Sequence, residues 1–177
     1  MGLPEATTLP DEARQDPTWQ RSDFRVRGRD GCRVPLPWSD DPGSNFGFSP
    51  AGASPAWLPQ PDNWGGLSVQ AQESDPNSPL NFYRKMLAVR RDLGLGMGES
   101  TWLDSDPEVL ALQVTGANGR QVVVVTNLGI GMRPPPKITV AASAKIVLAT
   151  PGIGSSPSSN HSREDQIAPG QTLWIEI

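Results

Sequence analysis

A chain of 177 residues with 36% apolar residues has room for one domain or two small ones, and its 18 Gly and 19 Pro assign much of it to turns and loops. The net charge of -4 argues against a nucleic-acid partner, whose phosphates need clustered Lys and Arg, and the longest basic cluster, Arg84, Lys85, Arg90 and Arg91, reads as the solvated face of one helix. No apolar run approaches the roughly 20 residues that span a bilayer, the N-terminus MGLPEATTLPDEARQD is not a secretory signal, and the single Cys32 forms no intrachain disulfide, so a soluble cytoplasmic protein without a membrane partner is expected.

Residues 1–75 are rich in Pro, Asp and Trp and carry little periodicity. Within them only Asp23 to Val26 resembles a strand, leading into Gly28-Arg29-Asp30-Gly31. A helical pattern starts at Asn77. Asn77 or Ser78 can cap it, Pro79 sits where a first-turn proline is tolerated, and Leu80, Tyr83, Met86 or Leu87 and Val89 follow at helical spacing. Gly94 offers a left-handed stop after Leu93.

The composition changes near residue 98, and beyond Glu99 the pattern is β. Thr101 to Leu103, Val109 to Thr115, Gln121 to Asn127, Lys137 to Val140, Lys145 to Ala149 and Thr172 to Ile177 read as six short strands. Gly116-Ala117-Asn118-Gly119 is a turn-former between apolar runs and predicts a hairpin. Gly152 to Gln166 is polar and Ser-rich, hence a loop. Six short strands suggest a small antiparallel β-sandwich over 99–177.

The segment Arg29-Asp30-Gly31-Cys32-Arg33-Val34-Pro35-Leu36-Pro37-Trp38 carries the most chemistry. Arg presents a planar fork of donors that can hold two sugar hydroxyls or a carboxylate, and an adjacent Asp can orient the fork. Trp offers an apolar face for a pyranose ring. The alternative reading is surface ion pairs with a Trp packed under a loop.

This run, GRDGCRVPLPW, resembles the stretch at the end of the eighth barrel strand in α-glucosidases and oligo-1,6-glucosidases of glycoside hydrolase family thirteen, which typically read R-D-[GN]-x-R-T-P-M-x-W. Asn45-Phe46-Gly47-Phe48-Ser49 is similar to the family's G-F-[ST] segment, and Trp57-Leu58-Pro59 to its P-W-[LF]-P stretch. The helix opened by Asp75-Pro76-Asn77-Ser78 looks like the eighth barrel helix. Gly2-Leu3-Pro4-Glu5, with Arg14-Gln15-Asp16-Pro17, resembles the segment downstream of Y-Q-G-E-E-[IL].

The resemblance implies that residues 1–98 are a C-terminal remnant of a catalytic (β/α)8 barrel, with its last strand, long loops and last helix, and that 99–177 are the closing β-sandwich. It implies α-glucoside oligosaccharides as substrate and no cofactor. Arg29 is the first candidate to reach the subsite of the non-reducing glucose, Arg33 the second, and Asp30 the orienting partner. The competing reading has Arg33 or Asp30 tying the loop to the barrel rim. Trp38, Trp57 and Trp64 are expected to pack loops. Val34 and Leu36 stand where the family has Thr and Met, a change of packing more than of chemistry.

The family's nucleophile Asp, acid/base Glu and stabilising His-Asp pair lie upstream of anything matched here, so no catalytic residue is assigned. Met1 falls where the family has a mid-sequence aliphatic residue, which suggests a truncated reading frame. His161, in the Ser-rich loop, has no evident partner, and no Cys/His set has zinc spacing. Gly94-Leu95-Gly96-Met97-Gly98 follows a helix and has the wrong spacing for a dinucleotide loop. Three readings follow: part of a retaining α-glucosidase, inactive alone; a non-catalytic module whose sandwich binds carbohydrate or protein; or a piece that complements a separately encoded N-terminal barrel segment.

Overall fold

Residues 2–136, 144–152 and 166–177 are described in the computed structural model, and they fall into two units, Met1–Tyr83 and Arg84–Ile177. The Pro- and Gly-dense first unit contains no strand among its described residues; 3-10 turns and short helices carry the chain. Helix α1 (Pro17–Arg21) has Pro17 in its first turn, and the Asp16 side chain accepts from Thr18 N at 2.9 Å. Helix α2 (Val69–Glu73) is capped in the same way by the buried Ser68, whose Oγ accepts from Ala71 N at 3.2 Å. Ala6, Leu9, Val34, Leu58 and Trp64 form this unit's apolar cluster, with Leu3, Ala13 and Leu67 against it. Trp64 is thus the loop anchor that the sequence suggests.

The strand expected over Asp23 to Val26, the last barrel strand of the sequence reading, is not formed. Asp23 and Phe24 both take left-handed backbone, φ 52° and 61°, and Phe24 N donates back to Trp19 O at 2.9 Å. Two consecutive positive φ values end an extended run before it can pair. The turn is held by Phe24 stacking edge-on against Trp19, ring centroids 5.4 Å apart.

Helix α3 (Pro79–Asp92) runs across the division between the units. Ser78 Oγ accepts from Asn81 N at 3.2 Å at its start, and Gly94, φ 67°, turns the chain left-handed after its end. Both features agree with the capping and stop residues of the sequence. The compositional break at 98/99 lies some residues beyond this division.

In the second unit, β1 (Glu99–Trp102), β2 (Val109–Thr115), β3 (Gln121–Asn127), β4 (Lys145–Ala149) and β5 (Thr172–Glu176) make one antiparallel sheet in the order β1-β2-β3-β5-β4. Thr115 pairs with Gln121 across the β2–β3 hairpin, closed by Gly116 N donating to Arg120 O at 2.7 Å. Val109, Val123, Val125, Ile167 and Leu173 form the core on one face. On the other, the register aligns Trp102, Leu112, Val124, Trp174 and Leu148 across all five strands. Both faces are therefore apolar, which explains why β3 reads as a continuous Val run instead of alternating.

The expected strand Lys137 to Val140, most of the Gly152 to Gln166 loop and His161 lie outside the described residues, and one sheet, without a second facing it, is what the described residues contain. No helix among them is long and apolar enough to cross a membrane.

The helix end is fastened to the sheet within this unit. Arg120 donates to Asp92 Oδ2 at 2.6 Å and to Glu176 Oε1 at 2.7 Å, and Asn118 Nδ2 donates to Asp92 O at 3.0 Å. Lys145 Nζ lies 3.1 Å from the second oxygen of Glu176. Arg120 first and Lys145 second hold the Glu176 carboxyl below the usual carboxylate range, against the opposing effect of burial.

Candidate functional site

The Arg29–Arg33 segment is a tight 3-10 turn, Asp30–Cys32, whose shape depends on two glycines. Gly28 has φ 71°, and a Cβ there would sit 2.6 Å from Cβ and Cγ of Asp16. A Cβ on Gly31 would lie 2.6 Å from Ala6 O, and the Ala6 N–H donates to Gly31 O at 3.1 Å. Only glycine lets the turn lie this close to residues 5–16.

Two buried carboxylates then lock the turn. Asp30, 2% exposed, accepts from Gln15 N at 2.8 Å and Asp16 N at 2.9 Å through Oδ2, and from Arg33 Nη1 at 3.4 Å through Oδ1. Asp16, 4% exposed, accepts from Thr18 N at Oδ1 and, at Oδ2, from Arg29 N at 3.1 Å and Arg33 Nη1 at 2.8 Å. The hydrogen bonds from Thr18, then that from Arg29 N and that from Arg33, hold the Asp16 carboxyl far below its ordinary 3.8, outweighing burial. Asp16 is an anion fixed by donors on three sides.

The three sequence candidates end in different situations. Asp30 orients the backbone of residues 15–16 and one amine of Arg33; Arg29 touches this lattice through its main-chain N–H alone. Arg33 is pinned at Nη1 with its side chain half exposed. The Arg29 side chain is exposed, and among the described residues its guanidinium meets no partner. Asp30 therefore faces Arg33, whereas sequence adjacency had suggested Arg29.

Asp16 and Arg14 are the participants to which the sequence reading, though it notes their segment, gives no role at this turn. Arg14, 6% exposed, donates to Leu9 O at 2.8 Å and Asp11 Oδ1 at 3.1 Å and lies 5.4 Å over the Trp19 ring. The Asp16-Pro17 pair, a cap followed by a first-turn proline, was the available signal.

The neighbouring loops expose their aromatics. Trp38 N and Ser39 N both donate to Phe46 O, at 2.7 and 2.9 Å, and the side chain of Asn45 bonds Ser54 O and Ala56 N. Trp57 is 70% exposed although its Nε1 donates to Ala13 O at 3.3 Å, and Trp38 is 53% exposed. Neither indole is packed under its loop as expected. Among the described residues no group of His, Cys, Asp and Glu is placed to hold a metal ion.

A family model described as alpha amylase, catalytic domain, matches residues 2–95. The oligo-1,6-glucosidase of Parageobacillus thermoglucosidasius is 30% identical over 119 residues, covering 66% of this chain and 20% of that protein. The trehalose synthase/amylase TreS of Mycobacterium tuberculosis is 40% identical over 108 residues, covering 56% and 18%. Among solved structures, the alpha-glucosyl transfer enzyme XgtA superposes with a TM-score of 0.70 at 25% identity over 99% of this chain and 31% of that one. The trehalose-6-phosphate hydrolase of Bacillus licheniformis, at a TM-score of 0.64 and 18% identity over 94% and 31%, shares the fold. The chain thus spans about a fifth of the length of the curated relatives it matches.

Proposed function

This chain belongs to the α-amylase family, and from that premise we propose that it is part of a retaining α-glucosidase acting on α-glucosidic bonds of small oligosaccharides, whose catalytic carboxylates lie outside these 177 residues. Residues 1–98 correspond in this reading to the end of the catalytic barrel and 99–177 to the closing β-sandwich. The apolar row Trp102–Leu112–Val124–Trp174–Leu148 supports a second layer over the sheet, because an apolar face left in water is costly.

The observation that carries the reading is how the buried carboxylates are spent. A retaining glycosidase needs two carboxyl groups about 5–5.5 Å apart, one attacking and one transferring a proton. Asp16 and Asp30 are saturated by backbone N–H groups and by Arg33, and a carboxyl held as deeply ionised as Asp16 is a poor proton donor. In this reading they build a rim from which Arg29 and the free edge of Arg33 reach a sugar. The relatives named for oligo-1,6-glucosidase and α-glucosidase activity favour the same substrate class.

Two measurements test this. The purified chain should release no nitrophenol from p-nitrophenyl α-glucoside above the uncatalysed rate; steady turnover would place the acid and nucleophile within it. Joined to an N-terminal barrel segment bearing the missing carboxylates, the chain should support turnover, and Arg29→Ala should lower kcat/KM by about 10–100-fold, the worth of one charged hydrogen bond. An unchanged kcat/KM would remove Arg29 from the subsite.

A further inference from the structure

The second unit has an open concavity of about 310 Å³ at the end of α3, lined by the solvent-exposed Leu87, Arg90, Arg91, Gly96, Met97 and Ala117 among others. Basic residues in the last helical turn ordinarily serve the helix carbonyls and the negative end of its dipole. Here other groups do that. Asp92 O takes Asn118 Nδ2 at 3.0 Å and Arg120 Nη1 at 3.4 Å, Arg91 O takes Gly94 N at 3.0 Å, and Val89 O takes Leu93 N at 3.0 Å. Arg90 and Arg91 are left without an acceptor among the described residues, although Asp92 stands beside them and is engaged by Arg120 instead.

The Arg90 guanidinium lies next to Gly96. A Cβ on Gly96 would lie 3.1 Å from both its terminal nitrogens, so the guanidinium lies close over the backbone of a residue with no side chain. Arg90 and Arg91 thus give one side of the concavity positive charge, and the exposed Leu87, Met97 and Ala117 add apolar surface beside them. Two arginine forks have donors enough for three oxygens of one group, and the volume lies at the small end of ligand sites.

We propose that this cavity binds a small phosphomonoester, its phosphate held by Arg90 and Arg91 and its organic part against Leu87, Met97 and Ala117. Every residue that lines it belongs to the second unit, whereas the Arg29–Arg33 turn belongs to the first.

Phenyl phosphate is a suitable probe, titrated calorimetrically into the full chain at low ionic strength. It should bind about tenfold more tightly than inorganic phosphate, because the ring leaves water for an apolar wall. Benzyl alcohol should not displace it. Arg90→Gln and Arg91→Gln should each weaken it by about tenfold, while Lys85→Gln, on the same helix but outside the cavity, should leave it unchanged. Amide shifts at Gly94, Gly96 and Ala117 on addition would place the probe. Absence of binding at millimolar concentration, equal weakening by Lys85→Gln, or displacement by the neutral alcohol would each overturn the proposal.

Discussion

Asp16 joins three functions in one carboxylate: it caps α1, receives the main chain of Arg29 and pairs with Arg33. Its pH dependence has a definite sign. With the folded-state pKa far below the ordinary 3.8, the stabilisation is complete above that value and is lost as pH falls below it toward the folded pKa, where the unfolded chain takes up the proton first. Asp16→Asn keeps a capping oxygen but discards the charge. The variant should be less stable than the parent at neutral pH and should show a shallower loss of stability below about pH 4, followed by tryptophan fluorescence during acid titration. Parallel acid profiles would mean that the charge plays no part. Sequence reasoning reached Asp30 and Arg33 because they sit in one short motif. It gave Asp16 no role there because the partner lies 17 residues before Arg33, and contact at that separation leaves no local pattern beyond a cap-proline pair.

At the scale of elements, legibility followed how far each depends on its own residues. Helix α3 carries its start and stop in Ser78, Pro79 and Gly94, and β2 and β3 occupy the spans that their apolar runs define. Strand β1 begins two residues earlier than its composition suggests, since Glu99 and Ser100 pair with Thr115 and Val114 across the ladder and owe their extended form to that neighbour. Asp23 to Val26 shows the reverse, a β-like composition overruled by a turn that packs Phe24 on Trp19. Within the sheet, Leu173 is 4% exposed and pairs with Val125 and Ala149 on adjacent strands. Leu173→Ala should therefore cost about 2–5 kcal/mol in urea unfolding, the range for a large-to-small change in a packed core. A cost below 1 kcal/mol would show that this face relaxes around the cavity.

At the scale of the molecule, the two units are stabilised by different means. The second has a hydrogen-bonded sheet on an apolar cluster, and its helix end is pinned by Arg120 and Asn118. The first relies on turns, short caps and side chains satisfying backbone, around a cluster of five buried apolar residues. Few of its backbone bonds are shielded by regular structure, so local opening should be easier there. Limited trypsin digestion should cut first near the exposed Arg25 and Arg27 and leave a persistent C-terminal fragment at least as large as residues 84–177. Equal persistence of both units on a gel would contradict this. The sequence could mark a change of composition near residue 98, but a helix spanning the division erases any boundary that composition could display.

The lattice around Asp16 reads position 29 only through its peptide nitrogen, whatever side chain is attached. Any residue other than proline could occupy that place without unmaking the turn, whereas positions 16, 28 and 30 admit almost no choice. The architecture thus leaves this side chain unguarded, and a library randomised at residue 29 should return folded members of nearly every chemical type.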